Sequence, residues 1–576
     1  MRWKTTCRPC PAVLLEVRSG CPLARADQLG RGQRPVTVRP VHIDASVPRR
    51  SGGEELAEGE AGGDAAASAA LNGRRRPSAW QVAIAMAVAA GVVLRFTARS
   101  HLWLDEALSV NIARLPLRSL PDALRHDGAP PLYYLLLHWW MALFGDGTIA
   151  VRALSGLLAV AAIPLVWVAG RRLGGTRVAT AALVLFAASP FAVRFGTETR
   201  MYSLLTLLAL AGWLALDDLL QRFSWSRAIA VAIATALLLY THYWSFYLLM
   251  VAGAVVAHRA LRGPAGPAGR QEARRAAMAM AVGCAMFLPW IPSFLFQLRH
   301  TGTPWAGAAS PRVLFDTVFE FAGGFWDPGF VLGLLSWVLI LLALFGRPID
   351  GRRIELDLRT RPEGRMLAVA GFGTLGVAML ASFLAQSAFA ARYASVLFPF
   401  VLLLVALGTT RFADPRVYGG ILAAVAVLGL IAIIPNAVGD RTSAPKVAAL
   451  LAAQARPGDV VAYCPDQLGP SVSRLLPADG LVQLTFPSGG APERVDWVDY
   501  ADRNHAASTI PFTQMLLERA GPTHTIWLVW SPNYSTFGTK CTALGDRLAQ
   551  ARPHMDRLLK IKTQYFEHPG LIRYRP

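Results

Sequence analysis

The chain has 576 residues, of which 54% are hydrophobic and only 16% are charged. A soluble domain carries roughly 25% charged residues, so this composition excludes an ordinary soluble protein and indicates several membrane spans. The basic residues behind the net charge of +20 are almost all arginine, and much of this arginine lies in the N-terminal tail and in short loops. That distribution is typical of charge that sets membrane topology, and we expect no nucleic-acid partner.

Residues 1–78 are rich in Gly, Ala, Arg, Glu and Pro and have no sustained hydrophobic period. This composition predicts a disordered tail, which we expect to be cytoplasmic. The apolar run at residues 11–17 is too short for the core of a signal peptide. Cys7 and Cys10 form a Cys-x-x-Cys pair without a second pair, which argues against a metal site in the tail.

Eleven apolar runs follow, most of them near the roughly 17–25 residues that a helix needs to cross a bilayer. They cover residues 80–97, 149–170, 178–195, 202–219, 228–241, 244–260, 276–292, 329–346, 366–387, 394–410 and 417–435. The loops that fall inside under this count are short and rich in arginine, as the positive-inside rule requires. The sequence thus predicts an α-helical polytopic membrane protein with about eleven transmembrane helices and a membrane domain at residues 79–436.

The apolar run at residues 131–145 is only about fifteen residues long. Counted as a span, it would invert the topology of everything after it and place arginine-rich loops outside. We therefore interpret it as a re-entrant or interfacial helix of a first external loop at residues 97–148. Trp139 and Trp140 suit such an interface. An odd number of spans then places the C-terminus on the side opposite the tail.

Residues 437–576 are more polar and alternate between two element types. Short apolar runs at residues 459–463, 481–486 and 525–530 predict strands, and residues 446–455 and 542–551 predict helices. We expect a small extracytoplasmic α/β domain. Its aromatic residues either stack on a sugar or belong to the core; they are Trp497, Tyr500, Trp527, Trp530 and Tyr534. Cys464 and Cys541 would be bridged in an oxidising compartment, but two free thiols fit the sequence equally well.

Clusters of polar residues border the apolar runs on one side of the predicted membrane. They contain Asp105 and Glu106; Asp127; Glu198, Arg200 and Tyr202; His242; and Arg392 and Tyr393. Ionisable groups beside membrane spans are costly and indicate a functional site by default.

The two acids of the first external loop are candidates for a general base. Adjacent residues of a helix point about 100° apart, so only one of Asp105 and Glu106 can aim into a given cavity. Solvated acids on an interfacial helix are the alternative. Glu198 and Arg200 can bind a phosphate or orient a hydroxyl, or they can pair with each other at a membrane boundary.

The remaining two clusters also have two readings. The guanidinium of Arg392 suits phosphate oxygens, but the same residue could cap its span by snorkelling. His242 lies in a three-residue hairpin between two spans. A metal there would need a carboxylate ligand from another loop, and a lone histidine is more often structural.

Taken in order, these residues resemble the polytopic glycosyltransferases of the GT-C type. The resemblance is to the branch with the protein O-mannosyltransferases, the lipid A aminoarabinose transferase and related bacterial sugar transferases of family 39. It is carried by residues 104–106, 126–134, 150–153, 171–174, 189–190 and 198–202, by His242, and by Arg392 with Tyr393. The match is good over residues 80–260 and fainter to about residue 410.

That resemblance implies a GT-C-like fold in the plasma membrane and a reaction on the external face. The donor would be a polyprenyl-phosphate-linked sugar, and an acid of the first external loop would be the base, which maps to Asp105 with Glu106 beside it. Residues expected to bind the donor phosphate or substrate are Asp127, Glu198, Arg200, Tyr202, His242, Arg392 and Tyr393. Some members use a divalent metal. In this chain His242 is the only weak candidate ligand, so no cofactor is certain.

The chemistry needs one base, because a single displacement at the anomeric carbon does not require two carboxylates at glycosidase spacing. We expect inversion at that carbon. The sugar is not identified by the sequence, and the acceptor could be a cell-envelope glycan, lipid or protein. A lipid-linked sugar flippase would place its charges at mid-span in repeated halves, which this sequence does not do. An inactive envelope scaffold is a second alternative.

Overall fold

The structure is a computed structural model that describes residues 78–263, 266–302, 310–350, 353–385, 390–477, 480–532 and 534–576. The predicted tail and its Cys7–Cys10 pair lie outside the described residues, apart from Ser78. The described residues from Ser78 onward form one compact unit.

Seventeen helices precede the C-terminal domain in the described part of the chain. They are α1 (Ala79–Leu94), α2 (Leu104–Ala113), α3 (Leu120–Asp127), α4 (Leu132–Phe144), α5 (Thr148–Ala187), α6 (Pro190–Gly196), α7 (Tyr202–Gln221), α8 (Trp225–Thr241), α9 (Ser245–Arg262), α10 (Gly266–Ala285), α11 (Ile291–His300), α12 (Val313–Phe321), α13 (Asp327–Phe345), α14 (Pro362–Ala368), α15 (Thr374–Ala385), α16 (Phe398–Thr409) and α17 (Pro415–Val438). Short 3-10 helices at Leu288–Trp290 and Ala391–Val396, a π-helical turn at Val369–Gly373 and a hairpin of β1 (Gly346–Pro348) and β2 (Ile354–Leu356) connect them.

Each of the eleven predicted apolar runs lies on one helix or on two consecutive helices. Among the described residues, six helical stretches are long and apolar enough to cross a membrane, and others are shorter. The second and third predicted spans share α5, which is broken at Gly174 and Gly175. Gly175 has φ +73°, a conformation that favours glycine, so the chain turns there. The prediction of a polytopic helical protein is confirmed.

Small residues allow the helix backbones to approach closely. A Cβ atom on Gly91 of α1 would lie 2.3 Å from the carbonyl oxygen of Ala187 in α5. One on Gly408 of α16 would lie 2.0 Å from the carbonyl oxygen of Leu339 in α13. Spans surrounded by lipid associate through such packing, since burial of apolar surface does not drive them together.

Residues 97–148, which the sequence predicts to be the first external loop, contain three helices, α2 to α4. Every residue of α2 except Asp105 is buried. Helix α4 covers the short apolar run, and its His138 and Trp140 contact the carbonyl oxygens of Ala113 and Ala150, each at 2.7 Å. The location of α4 at the membrane interface stays a prediction.

The C-terminal domain contains a five-stranded sheet in the order β4-β3-β5-β7-β6, with β3 parallel to β4 and β5. The strands are β3 (Val460–Cys464), β4 (Val482–Thr485), β5 (Ile526–Trp530), β6 (Met555–Leu559) and β7 (Gly570–Tyr574), and the helices are α18 (Ala444–Gln454), α19 (Gly469–Ser473), α20 (Tyr500–Ala506), α21 (Thr509–Ala520) and α22 (Lys540–Ala551). The three predicted strands are β3, β4 and β5. Strands β6 and β7 were not predicted, because β6 contains polar residues and lies at the sheet edge.

Most of the aromatic side chains considered for sugar stacking belong to the core of this domain. Trp497, Tyr500 and Trp527 are buried and cannot stack on a ligand. Trp530 and Tyr534 are partly buried. A disulfide joins Cys464 at the end of β3 to Cys541 in α22.

The C-terminal domain rests on the first external loop. Asn111 of α2 donates a hydrogen bond to the carbonyl oxygen of Glu493 at 2.7 Å. The backbone N–H of Trp497 donates to the carbonyl oxygen of His126 at 3.1 Å. His300 at the end of α11 pairs with Asp499 at 3.1 Å. The domain and this loop therefore lie on the same side of the helices, as an odd number of spans requires.

We expect the Cys541→Ser variant to destabilise the C-terminal domain. The disulfide joins residues separated by 77 positions. Removing such a cross-link typically costs roughly 2–5 kcal/mol, because the unfolded chain regains conformational freedom. Thermal unfolding and limited proteolysis of the detergent-solubilised protein would measure this. The matched control is Cys284→Ser, which removes a free, exposed cysteine. Equal unfolding temperatures for the two variants would contradict the expectation.

Candidate active site

Most of the predicted site residues meet in one polar cluster, at the helix ends that face the C-terminal domain. The members of this polar cluster are Asp105, Asp127, Arg200, Tyr202, His242, Arg392 and Tyr393. They come from α2, from the end of α3, from the loop before α7 and its first residue, from the α8–α9 hairpin and from the 3-10 helix before α16. Residues up to 288 positions apart in the sequence, Asp105 and Tyr393, thus converge.

Asp105 is paired with Arg392. Its Oδ2 atom lies 3.2 Å from Nη1 of Arg392, and 13% of the aspartate side chain is exposed. The Asp105 Oδ2 and Arg392 Nε atoms have no hydrogen-bond partner among the described residues. The pair is therefore accessible at one edge and retains free hydrogen-bonding capacity.

Arg200 lies between the two acids of the polar cluster. Its Nη1 atom is 3.1 Å from Ser109 Oγ, 3.4 Å from the Tyr134 hydroxyl and 3.5 Å from the carbonyl oxygen of Asp105. Tyr134 in turn donates a hydrogen bond to Asp127 Oδ2 at 2.7 Å. Burial raises the pKa of Asp127, and the charge of Arg200 and the Tyr134 hydrogen bond only partly oppose it.

His242 remains uncharged in this environment. Burial lowers the pKa of His242 to about 3, and the positive charges of Arg200 and Arg392 act in the same direction. Its Nδ1 atom accepts a hydrogen bond from the backbone N–H of Trp244 at 3.1 Å, so Nε2 carries the proton of the neutral ring.

The surroundings of His242 do not fit a metal ion. Its ring neighbours are Tyr202 and Tyr393, at centroid distances of 6.1 and 5.3 Å. In the part of the chain that the structure describes, no group of three or more His, Cys, Asp or Glu side chains is arranged to hold a metal. We therefore assign no step to a metal.

Glu106 and Glu198 lie apart from the polar cluster, in a buried ion network that also contains Arg152, Arg194 and Arg441. Two hydrogen bonds from Arg152 reach the Glu106 carboxylate, at 2.7 and 2.6 Å. The backbone N–H of Thr199 donates to Glu106 at 3.1 Å, and Arg441 lies at 3.5 Å. Burial alone would raise the pKa of Glu106, but the charges of Arg152 and Arg441 outweigh it and lower the pKa.

The rest of the buried ion network ties the membrane helices to the C-terminal domain. Glu198 pairs with Arg194 of α6 at 3.0 Å. Arg441, which follows the last span, donates to the Thr197 carbonyl oxygen and hydroxyl at 3.0 and 2.7 Å. Burial and the repulsion from Arg194 lower the pKa of Arg441 to about 9. The Glu106 carboxylate is fully engaged with Arg152, Thr199 and Arg441, which gives it an architectural position, whereas Oε2 of Glu198 is paired with Arg194 but has no hydrogen-bond partner among the described residues.

Sequence reasoning missed Arg152, Arg441, Ser109 and Tyr134. Arg152 lies in residues 150–153, which carry the family resemblance, but it was assigned no role in the site, and Arg441 follows the last predicted span without belonging to any polar cluster. Tyr134 lies within the apolar run of α4, where a tyrosine is also a common interface residue. The order of the polar segments was the only signal, and it does not reveal which side chains touch.

Comparison with known proteins places these residues in context. The model of the dolichyl-phosphate-mannose-protein mannosyltransferase family matches residues 128–292. The crystal structure of apo ArnT from Cupriavidus metallidurans has a TM-score of 0.57 and 16% identity, and the match covers 86% of this chain and 98% of ArnT. ArnT bound to undecaprenyl phosphate matches over the same shares with a TM-score of 0.52 and 14% identity.

The chain shares the fold of ArnT. The resemblance to the GT-C glycosyltransferases that the sequence indicated is thereby confirmed. The family-model match includes Glu198, Arg200, Tyr202 and His242, whereas Asp105 lies before it. No curated protein matches the chain.

We expect Arg152→Met to destabilise the protein strongly. The variant leaves the buried Glu106 carboxylate with the more distant Arg441, at 3.5 Å, and removing one partner of a buried ion pair costs roughly 3–5 kcal/mol. The matched control is Arg172→Met, which breaks a partly exposed pair with Asp218. Such surface pairs contribute roughly 0–1 kcal/mol. Thermal unfolding in detergent measures the stability of the Arg152→Met and Arg172→Met variants. Equal stability of the two would contradict the assignment of the buried ion network.

The same ion pair predicts a loss of stability in acid. The pKa of Glu106 is lower in the folded protein than in the unfolded chain. The stabilisation it contributes is therefore complete above the unfolded value, roughly 4.3, and is lost as the pH falls through the folded value. Unfolding temperatures measured between pH 7 and pH 3 should decline below about pH 4, and Glu106→Gln should flatten that decline.

Proposed function

We propose that this protein is a membrane glycosyltransferase that moves a sugar from a polyprenyl-phosphate donor to a hydroxyl of a cell-envelope acceptor. The observation that carries the proposal is the Asp105 carboxylate, held 3.2 Å from Arg392 with Arg200 beside it. A base and two cations at the end of a helical bundle are the groups that transfer from a lipid phosphate requires. The family-model match and the ArnT fold support the same class.

Arg200 and Arg392 are suited to the departing phosphate. Guanidinium groups form charge-assisted, two-pronged hydrogen bonds to phosphate oxygens. The Nε atoms of both arginines lack hydrogen-bond partners among the described residues. The negative charge that develops on the leaving phosphate would be stabilised by groups already in place.

An apolar cavity below the polar cluster suits the lipid tail of the donor. Its volume is about 310 Å³, and it lies between α7, α8, α9 and the helices around residues 362–370. Along α9 it extends from Leu248, one to two turns from His242, to Arg259. That stretch of helix is about 16 Å long. A prenyl chain whose phosphate lies at the polar cluster would enter this cavity.

The reaction is a single displacement. The acceptor hydroxyl oxygen attacks the anomeric carbon, and the bond between that carbon and the phosphate oxygen breaks. Asp105 takes the hydroxyl proton, and the polyprenyl phosphate leaves with the electron pair of the broken bond. Attack from the face opposite the leaving group inverts the anomeric configuration.

The proposed reaction also implies an orientation of the protein in the membrane. We place the polar cluster and the C-terminal domain outside the cytoplasm and the N-terminus inside. The disulfide between Cys464 and Cys541 supports this orientation, because such bonds persist in oxidising compartments. The short arginine-rich loops at the opposite helix ends support it as well.

Asp105→Asn should reduce sugar transfer by roughly 10²–10⁴-fold, since positioned general bases contribute about that much. The assay uses membranes that express each variant, a panel of labelled polyprenyl-phosphate sugars and a cell-envelope extract. Asp327→Asn is the matched control, because it neutralises an exposed carboxylate at the start of α13. Transfer by Asp105→Asn at the wild-type rate would refute the assignment of the base.

Gly212→Phe should raise the KM for long-chain donors more than for donors with two or three isoprene units. Gly212 lines the apolar cavity, and a Cβ atom there would make only ordinary contacts, with Ala234 and Leu238. A phenylalanine side chain at position 212 would therefore occupy part of the apolar cavity and leave less room for the lipid tail. Gly376→Phe serves as control, because a Cβ atom there meets nothing within 4 Å. An unchanged KM for every donor length would show that the tail lies elsewhere.

A further inference from the structure

The parallel part of the C-terminal sheet ends at the first external loop. Strand β3 lies between β4 and β5 and runs parallel to both. In open α/β sheets, ligands bind outside the carboxyl ends of parallel strands, where connections diverge to opposite sides of a central strand. In the chain beyond the carboxyl ends of these strands, Asp466 follows β3, Ser488 follows β4 and Tyr534 follows β5.

A cavity of about 360 Å³ lies at this edge of the sheet, and we call it the edge pocket. Small-molecule sites usually measure roughly 300–1,000 Å³. The C-terminal domain forms most of its wall, and α2 and α3 close it. Its lining includes Ile112, Asp122, Asp466, Ser488, Ala491 and Glu493. The pocket therefore exists only because the C-terminal domain rests on the first external loop.

The lining of the edge pocket indicates a neutral, hydroxyl-rich ligand. It contains four carboxylates and two arginines. Arg503 and Asp496 pair at 3.1 Å and offset each other, and burial raises the pKa of Asp466 to about 7. Asp122 and Glu493 therefore face one arginine, Arg494, that has no ion pair among the described residues. This excess of negative charge disfavours a phosphate. Carboxylate, amide and hydroxyl oxygens accept hydrogen bonds from sugar hydroxyls. Ile112, Pro487 and Val495 add apolar surface for the C–H faces of a sugar ring.

The edge pocket is close to the proposed base without overlapping it. Ile112 is seven residues beyond Asp105 on α2, which corresponds to ~10 Å along the helix. His126 lines the pocket and precedes Asp127 of the polar cluster. A ligand could thus extend from one site to the other.

We propose that the edge pocket is an acceptor subsite that holds a carbohydrate chain. This inference rests on the proposed function. The reactive hydroxyl would lie at Asp105, while a neighbouring sugar unit of the same chain occupies the pocket. Asp105 and Ile112 are ~10 Å apart along α2. A pyranose ring, built from bonds of about 1.5 Å, spans roughly half of that distance. The acceptor is therefore an oligosaccharide or a polysaccharide, and a single sugar does not fill both sites.

Binding to the full-length protein in nanodiscs tests the proposal. The probes are mannose, arabinose, glucose and galactose oligosaccharides of one, two, four and six units, observed by saturation-transfer NMR and calorimetry. We expect at least one series to bind, with an affinity that rises between one and four units. Ala491→Trp fills the pocket from an exposed position and should weaken binding of the four-unit chain at least tenfold. Ala453→Trp, exposed on α18, should leave it unchanged.

Two further variants separate this inference from the proposed function. Asp105→Asn should lose transfer and keep oligosaccharide binding. Ala491→Trp should still release sugar from the polyprenyl-phosphate donor to water or to a one-unit acceptor. Glu493→Gln removes a carboxylate of the pocket with little change in size, and it should also weaken binding. Equal unfolding temperatures of all variants and wild type confirm that each is folded.

Some results would overturn the inference. Absence of binding by every oligosaccharide would refute it, as would equal binding by wild type, Ala491→Trp and Glu493→Gln. Binding of inorganic phosphate that Ala491→Trp abolishes, without carbohydrate binding, would reassign the pocket to an anion. Failure of wild type to release sugar from any donor would instead refute the proposed function.

Discussion

The buried pair of Glu106 and Arg152 is the interaction on which the rest of the site depends. Two hydrogen bonds join the groups, and the carboxylate is fully buried. Breaking such a pair exposes a bare charge to a medium of low polarity, so alternative orientations of α2 are strongly disfavoured. Adjacent helical residues point about 100° apart. Once Glu106 faces the network, Asp105 must face another direction, and that direction is the polar cluster.

The buried ion network and the polar cluster differ in how much hydrogen-bonding capacity their charged groups have left. In the buried ion network, Glu106 is enclosed by Arg152, Arg441 and the backbone N–H of Thr199, which leaves its carboxylate little capacity for a substrate. In the polar cluster, Asp105 and Arg392 touch at one point only, and the Nε atoms of Arg200 and Arg392 have no partner among the described residues. Unused hydrogen-bonding capacity in a buried site costs free energy and is typical of a site that awaits a ligand.

Much of this arrangement was predictable because membrane spans have a strong sequence signal. The apolar runs locate the helices, and polar residues at their ends locate the cluster, including Asp105 and Arg392. The residues alone did not predict the distinction between Asp105 and Glu106; only the family resemblance mapped the base to Asp105. The distinction depends on Arg152 and Arg441, which are 46 and 335 positions away from Glu106 and look like ordinary boundary arginines in the sequence. Strands β6 and β7 were missed for a related reason, since their pairing comes from tertiary contact.

The C-terminal domain packs against the helix that carries Asp105. Helix α2 carries the proposed base, yet nearly all of its surface is covered, partly by Asn111 contacting the domain and partly by Arg441 reaching back from the last span. A ten-residue helix in a loop has little stability of its own, because helix nucleation is unfavourable and short helices depend on packing. The position of Asp105 therefore depends on contacts made by residues far beyond the membrane domain. The same contacts create the edge pocket, so one docking surface both positions the base and provides the space in which an acceptor chain would lie.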